Sequence, residues 1–225
     1  LQNHTLKNFS FISTNVQSFV FDNSGTLWIC CYGDGLFYSK DRLQTLHPYV
    51  SPVDDQKTYE NDVVIGLVKG AYNCLYIGSL KGGVKELNLT SGKLRDLLLK
   101  DEDNESIYCR TLLFATDNEL WIGTESGAYI YNLRTGKYTH LRSSEYDPYS
   151  LSDNAIYSFC KDREDGIWIG SYFGGVNYYP RSYTHFEKYY PKGEENSLHG
   201  KRVREFCRDS QGIFCLLYTS PSPRD

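Results

Sequence analysis

The chain has 225 residues, 40% of them hydrophobic and 23% charged, which is enough apolar material for a sizeable core and excludes disorder by composition. Its formal net charge of -4 supplies no broad basic field, so nucleic acid is not an expected partner. No apolar run approaches the roughly 20 residues that span a bilayer, and no signal peptide is visible.

Aromatics make up 15%, with 20 Tyr and 11 Phe, and there are 19 Gly, a composition that favours strands and tight turns over helices. The chain begins at Leu1 without Met and is expected to be an internal piece of a longer one. The first predicted elements are four short strands, roughly Val16–Phe21, Leu27–Cys31, Leu36–Ser39 and Leu43–Tyr49, with turn residues at each junction. The phrase around the second strand, DNSGTLWICCYGDGL, recurs as NCLYIGSLKGGV, NELWIGTESGA and DREDGIWIGSYFGGV. Its aromatic residue falls at Trp28, Tyr76, Trp121 and Trp168, spacings of 48, 45 and 47 residues, which is the period of a repeat architecture.

The register holds beyond the phrase itself. Twelve residues before each aromatic stand Val16, Val64, Cys109 and Ile156; one after stand Ile29, Ile77, Ile122 and Ile169. Three before stand Gly25, Asn73, Asn118 and Asp165, residue types that tolerate positive φ in a hairpin turn. The first two strands of each repeat are apolar at neighbouring positions, which marks a sheet packed on both faces. Four-stranded antiparallel sheets stacked face to face around an axis make an all-β propeller, one repeat per blade. The blades are predicted at about 16–50, 64–99, 109–142 and 156–190, with the start of a fifth at 203–214. Only Leu94–Lys100 has some helical character, and it falls where the outer strand of the second blade belongs. His47, Arg95, His140 and His185 lie on outer strands and are read as polar protection of an edge.

The connections Ser51–Asp62, Lys100–Ser106, Ser143–Asn154 and Pro191–Lys201 link one blade to the next. They emerge on the same face as the loops Tyr32–Gly35, Leu80–Gly83, Glu125–Gly127 and Tyr172–Gly175. A fifth aromatic is due near 215, but residues 215–225 read CLLYTSPSPRD, with no Ile-Gly and no glycine loop. That string resembles the translation of a transposase adapter used in sequencing-library preparation. Residues 215–225 are therefore read as a non-native tail and Phe214 as the end of the natural sequence, a natural Pro/Ser tail being the alternative. Blades 1–214 alone would leave open faces, so that portion is predicted to express poorly by itself. A monodisperse sample that unfolds cooperatively would contradict this.

The seven cysteines form no CxxC pair and no Cys/His zinc spacing, and are read as small buried hydrophobes. No phosphate loop, HExxH, GxSxG or kinase signature is present. The paired carboxylates Asp54-Asp55 and Glu194-Glu195 lie in polar linkers, where solvation removes the environment that general-acid chemistry needs. The glycines of GDG, KGG and FGG permit tight loops and do not cradle phosphate, because no helix start follows them. No cofactor and no metal is expected.

The phrase D-x-x-G-x-L-W-I-G-T-x-x-G-G-L, matched most closely by Asp22–Leu36 and Asp162–Val176, resembles the two-component regulator propeller repeat. The lead-ins DPYSLSDNAIYSF (Asp147–Phe159) and ENSLHGKRVREF (Glu195–Phe206) are similar to that family's as well. The resemblance covers residues 1–214. It implies a propeller of usually seven blades in the periplasmic sensor region of an inner-membrane hybrid two-component histidine kinase of Bacteroidetes. The implied ligands are oligosaccharides released from complex glycans. The implied partners are a neighbouring propeller and a β-sandwich of the same parent chain, with homodimerisation in the parent. The chain departs from the pattern at Cys30 and Cys31 for Gly-Thr, at Gly70 and Ala115 for the turn Asp, and at Tyr76 for Trp, which leaves specificity open.

Ligand contact is expected from polar or aromatic residues on the loop face that break the repeat: Tyr32, Asp34, Lys81, Glu125, Asn154, Tyr172, Phe173, Arg202 and Arg204. Aromatic faces stack on sugar rings, and charged groups read acidic or hydroxyl substituents. Three functions compete. A sensing module, non-catalytic in itself, predicts a transmembrane helix and kinase further along the gene. A propeller lyase or glycosidase predicts converging carboxylates or a His/Tyr base, for which the sequence offers no constellation. A protein-interaction scaffold predicts an exposed apolar patch on the loop face.

Overall fold

A computed structural model describes residues 15–52, 63–181, 189, 191, 197–198 and 203–218. Every regular element among them is a β-strand. Three four-stranded antiparallel sheets follow one another along the chain. They are β1–β4 (Val16–Phe21, Leu27–Cys31, Gly35–Ser39, His47–Pro48), β5–β8 (Val64–Lys69, Cys74–Ser79, Val84–Asn88, Leu94–Leu98) and β9–β12 (Cys109–Thr116, Glu119–Thr124, Gly127–Asn132, Tyr138–Leu141). A fourth sheet has three described strands, β13–β15 (Ile156–Lys161, Ile167–Ser171, Val176–Tyr179). His185, predicted for its outer strand, lies outside the described residues. Successive inner strands β1, β5, β9 and β13 lie side by side, as blades around an axis require. The chain divides into two compact units, residues 1–142 with 151–181 and residues 143–150 with 182–225. In the second unit β16 (Val203–Arg208) and β17 (Phe214–Tyr218) form a hairpin.

The core consists of seams between blades. Trp28, Cys30, Leu36, Val64, Leu67, Leu75, Ile77 and Leu87 bury together between the first and second blades. Trp121, Ala128, Leu151, Ile156, Ile167 and Ile169 do so between the third and fourth. Trp121 is 1% exposed, with Phe159 and Tyr179 edge-on to its indole at 5.7 and 5.1 Å. A buried side chain of this size contributes on the order of 3 kcal/mol by apolar burial. In the second and third blades the glycine after the signature Ile sets the blade spacing. A Cβ on Gly78 would collide with Cys109 Sγ of the next blade. A Cβ on Gly123 would lie 2.9 Å from Ile156 Cγ2 of the next blade and 2.5 Å from Thr111 Cγ2 of its own.

The motif's aspartate is a turn cap and an indole anchor at once. Asp22 Oδ1 accepts the backbone N–H groups of Ser24 (2.8 Å) and Thr26 (3.0 Å), while Oδ2 accepts Trp28 Nε1–H at 2.9 Å. Asp162 repeats this with Glu164 (2.9 Å), Gly166 (2.8 Å) and Trp168 Nε1 (3.1 Å). Burial alone would raise the Asp22 pKa, but the bonds from Trp28, Ser24 and Thr26 outweigh it and hold the carboxyl below its ordinary value. The departures in the second blade are coupled. A Cβ on Gly70 would collide with the Tyr76 ring, so Tyr for Trp demands Gly for Asp; the Tyr76 hydroxyl instead donates to Glu86 Oε2 at 2.8 Å. In the third blade Trp121 Nε1 donates to Glu119 Oε1 at 2.9 Å, replacing the partner that Ala115 cannot supply.

Several expectations need correction. Leu94–Lys100 is not helical: Leu94–Leu98 is the strand β8. The outer strand of the first blade shrinks to His47–Pro48, because Arg42 and Leu43 adopt positive φ and Leu43 and Leu46 fold onto Leu27, Ile29 and Cys31. Asn118 has no positive φ; β9 runs on to Thr116, opposite Glu119, and a bulge at Ala115 takes up the extra residue. The end blades are not packed on both faces, since Phe19 is 65% and Trp168 45% exposed. Cys30, Cys31, Cys74 and Cys109 are buried, and burial pushes Cys30 and Cys109 up to about 12, whereas Cys160 and Cys207 are exposed. His140 is no free edge residue. Its ring stacks on Tyr129 at 3.8 Å and its Nδ1 lies 3.0 Å from Glu102 Oε2, pinning the linker to the third blade. Arg95 pairs with Glu86, and His47 stays exposed.

Replacing Gly123 by Ala should cost about 1–3 kcal/mol through overpacking of the seam. Asp22→Ala should cost about 2 kcal/mol by removing the cap and orphaning a buried indole N–H. Urea midpoints of the two variants check both; unchanged midpoints would remove the structural role assigned to the signature.

Candidate ligand-binding site

Each inner strand of the first unit carries a β-bulge at its second residue. The ladder skips Gln17 between Val16 and Ser18, Ile65 between Val64 and Gly66, Arg110 between Cys109 and Thr111, and Tyr157 between Ile156 and Ser158. A bulge frees a residue from the alternation of the strand and re-aims its side chain. At Arg110 and Tyr157 it aims them at the loop face.

There the residues assemble a site across the third and fourth blades. The Arg110 guanidinium lies over the Tyr157 ring, 5.0 Å from its centroid, and pairs with Glu125 Oε1 through both Nε and a terminal nitrogen. Tyr157 stacks on Tyr172 at 5.0 Å and 28°, and Phe173 stands edge-on to Tyr172 at 4.3 Å. Tyr157, Tyr172 and Phe173 are 42, 59 and 88% exposed, so this is an aromatic platform open to solvent, with an ion pair at one end.

The platform is held from below by the linker. Asp153 Oδ2 accepts Phe173 N–H at 2.9 Å and Oδ1 accepts Ala155 N–H at 3.3 Å. Tyr172 N–H donates to Ala155 C=O at 2.9 Å. Asn177 accepts from Ser152 N–H and donates to its hydroxyl. A Cβ on Gly174 would lie 2.7 Å from Asp153 Cβ, so glycine permits the linker to approach. The bond from Phe173 N–H, with those from Ala155 and other backbone groups, holds the Asp153 carboxyl below its ordinary 3.8.

Of the expected contact residues, the structure brings Glu125, Tyr172 and Phe173 together. Asn154 is half-buried in the linker beneath them. Tyr32 and Lys81 are exposed on the equivalent loops of the first and second blades, and no ring contact or ion pair joins them to the platform among the described residues. Asp34 is half-buried near Cys31, whose thiol is raised by burial first and by the Asp34 charge second. Arg204 is the bulged residue of β16 and is exposed; Arg202 lies outside the described residues. The sequence reading missed Arg110 and Tyr157. Their signal was the position eleven residues before each aromatic, where Gln17, Ile65, Arg110 and Tyr157 share no chemistry. Among the described residues no group of three His, Cys, Asp or Glu side chains is placed to hold a metal, and no helix is long and apolar enough to cross a membrane.

Asp153 gives the site a pH dependence. A carboxyl with a depressed folded pKa stabilises above its unfolded value and ceases to do so as pH falls through the folded one. Protection of the Phe173 amide from hydrogen exchange should be full above about pH 4 and decline below 3.8, and Asp153→Ala should abolish the decline along with the protection. An amide equally protected in the variant would show that the linker does not hold the platform.

Comparison with known proteins agrees with this architecture. Residues 150–173, which hold the linker, β13, β14 and the platform loop, match the family model "Two component regulator propeller". A search of curated proteins gave no significant match. Among solved structures, the chain is similar to one described as the extracellular domain of a hybrid two component system, BT4673 of B. thetaiotaomicron. The TM-score is 0.60 at 19% identity, over 89% of this chain and 26% of that one. It is similar to the corresponding domain of BT3049 from the same organism, with a TM-score of 0.53 at 21% identity over 92% of this chain and 32% of that one. The WD40 β-propeller domain of Doa1 gives 0.57 at 13% identity, over 77% and 53%. At these identities the likeness establishes the fold, and the chain spans about a quarter to a third of the length of the first two structures. Residues 150–173 therefore match the two component regulator propeller repeat, and the first unit has the fold of a β-propeller.

Proposed function

We propose that the chain is the ligand-sensing propeller of a two-component sensor, placed outside the cytoplasm, and that it recognises an oligosaccharide on the loop face for relay to a kinase elsewhere in the parent protein. The observation that carries this reading is the platform of Tyr157, Tyr172 and Phe173 beside the Arg110–Glu125 pair. Flat exposed rings suit the C–H faces of sugars, and the adjoining guanidinium and carboxylate suit hydroxyl or acidic substituents. The repeat at 150–173 and the likeness to domains described as extracellular parts of hybrid two component systems support the sensor role and the extracytoplasmic setting. The platform is held by hydrogen bonds on a packed blade, so a signal would travel as rearrangement between domains, driven by different ligand affinity in two states.

A second reading, docking of a neighbouring domain or a second copy of the chain, is favoured by a different observation. Trp168, Val176 and Tyr178 are 45, 67 and 45% exposed on the fourth blade. Calorimetric titration of the protein against a panel of plant and host oligosaccharides separates the two. Sensing predicts saturable binding by at least one glycan, with Tyr172→Ala and Phe173→Ala each weakening it tenfold or more while the urea midpoint stays put. Failure of the whole panel would sink the glycan reading in favour of docking, and binding indifferent to both substitutions would remove the platform as the glycan site.

A further inference from the structure

A groove of about 630 Å³ opens between the first and second blades, on the face opposite the loops that carry Tyr172. Its walls are the turn Asp22–Thr26, the end of β3 at Tyr38 and Lys40, Tyr49 after β4, and the turns at Asn73 and Thr90–Gly92. All of these lie in the first unit. The volume falls within the range of about 300–1,000 Å³ of small-molecule sites.

The repeat explains why this seam is open. Between the third and fourth blades Trp121 is covered by the rings of Phe159 and Tyr179. The corresponding residues facing Trp28 are Leu67 and Leu87, which bury with it but are smaller. The remaining space is lined from the first blade by Tyr38 and Tyr49, each 5.5 Å from the Trp28 ring. Both tyrosines are half-buried, which leaves part of each at the groove.

The charges in the groove are unequal in their commitments. Asp22 is consumed by Ser24, Thr26 and Trp28. Lys40 has no carboxylate partner among the described residues, and its Nζ sits over the Tyr38 ring, 5.5 Å from the centroid. The Tyr38 hydroxyl has no hydrogen-bond partner among the described residues, although its counterpart Tyr178 donates to Asp162. Among the described residues the groove thus offers the partly exposed rings of Tyr38 and Tyr49, tilted against Trp28, together with a cation that has no carboxylate partner and a hydroxyl that has no hydrogen-bond partner.

We propose that this groove is a second ligand site, for a small molecule that carries a carboxylate or sulfate on a body with one flat apolar face. The anion meets Lys40 and the Tyr38 hydroxyl, and the flat face lies along Tyr38 and Tyr49. Acidic sugars and aryl acids share this chemistry. The site is independent of the platform on the loop face.

The test is calorimetry on the whole 225-residue chain with a uronic-acid disaccharide, its methyl ester and benzoate, at low and at physiological salt. Lys40 is exposed, so Lys40→Ala leaves the fold intact, and its urea midpoint verifies that. The expected result is saturable binding of at least one acid, weakened about fivefold or more by Lys40→Ala and by added salt, and restored by Lys40→Arg. Binding of the disaccharide alone identifies an acidic sugar; binding of benzoate alone identifies an aryl acid. Equal binding of the methyl ester, indifference to Lys40→Ala, or no binding of either acid overturns the proposal. Phe173→Ala leaves this binding unchanged; if it abolishes it, the ligand sits on the loop face and this site falls while the platform stands.

Discussion

Blades stack by bringing the second strand of one sheet close to the inner strand of the next, and at the second and third blades a missing Cβ makes that approach possible. Gly78 and Gly123 face Cys109 and Ile156 at distances where a methyl group does not fit. The aromatic two residues before each of these glycines fills the same seam, while the isoleucine between them turns to the other face of the sheet and packs against the preceding blade. The signature is therefore a packing rule repeated along the chain, and its aspartate serves that rule by holding the hairpin turn and the indole together. Where the rule is broken the breaks are paired. Gly70 comes with Tyr76, Ala115 with Glu119, and Cys30, in the place of glycine, turns its thiol to Ile65 C=O across the seam at 3.4 Å.

Much of this was legible in the sequence because a buried seam constrains residue type at fixed intervals. The period of the aromatic announced a blade architecture, and the strands at Val16–Phe21 and Leu27–Cys31 fell where the apolar stretches between turn residues put them. Less legible were features set by one residue's surroundings. The outer strand of the first blade gave way to a turn because Asp41 Oδ1 accepts Thr45 N–H at 2.9 Å while Leu43 and Leu46 pack underneath. Nothing in the local pattern distinguishes that segment from a strand. The role of His140 depends on Glu102, 38 residues away in sequence.

The site shows the same division. Tyr172 and Phe173 stood out because they break a repeat in a loop that the repeat defines. Arg110 and Tyr157 did not, since a bulge is invisible to a reading based on period two, and the bulged position carries Gln, Ile, Arg and Tyr in turn. That variety is informative once the bulge is seen. The skeleton of each blade is fixed, whereas one residue per inner strand is released from it, and at Arg110 and Tyr157 that residue meets loop-face side chains. On the proposed reading, fold and ligand contact occupy different positions of one repeat, as when many functions are grafted on a common scaffold.

The most direct measurement is a map of backbone amide chemical shifts on addition of a bound oligosaccharide. The account predicts changes concentrated at residues 110, 125, 153–157 and 172–174, with the amides of Trp121, Ile122 and Gly123 undisturbed. Changes centred on those signature residues, or spread evenly over the blades, would contradict the separation of a structural signature from a binding platform.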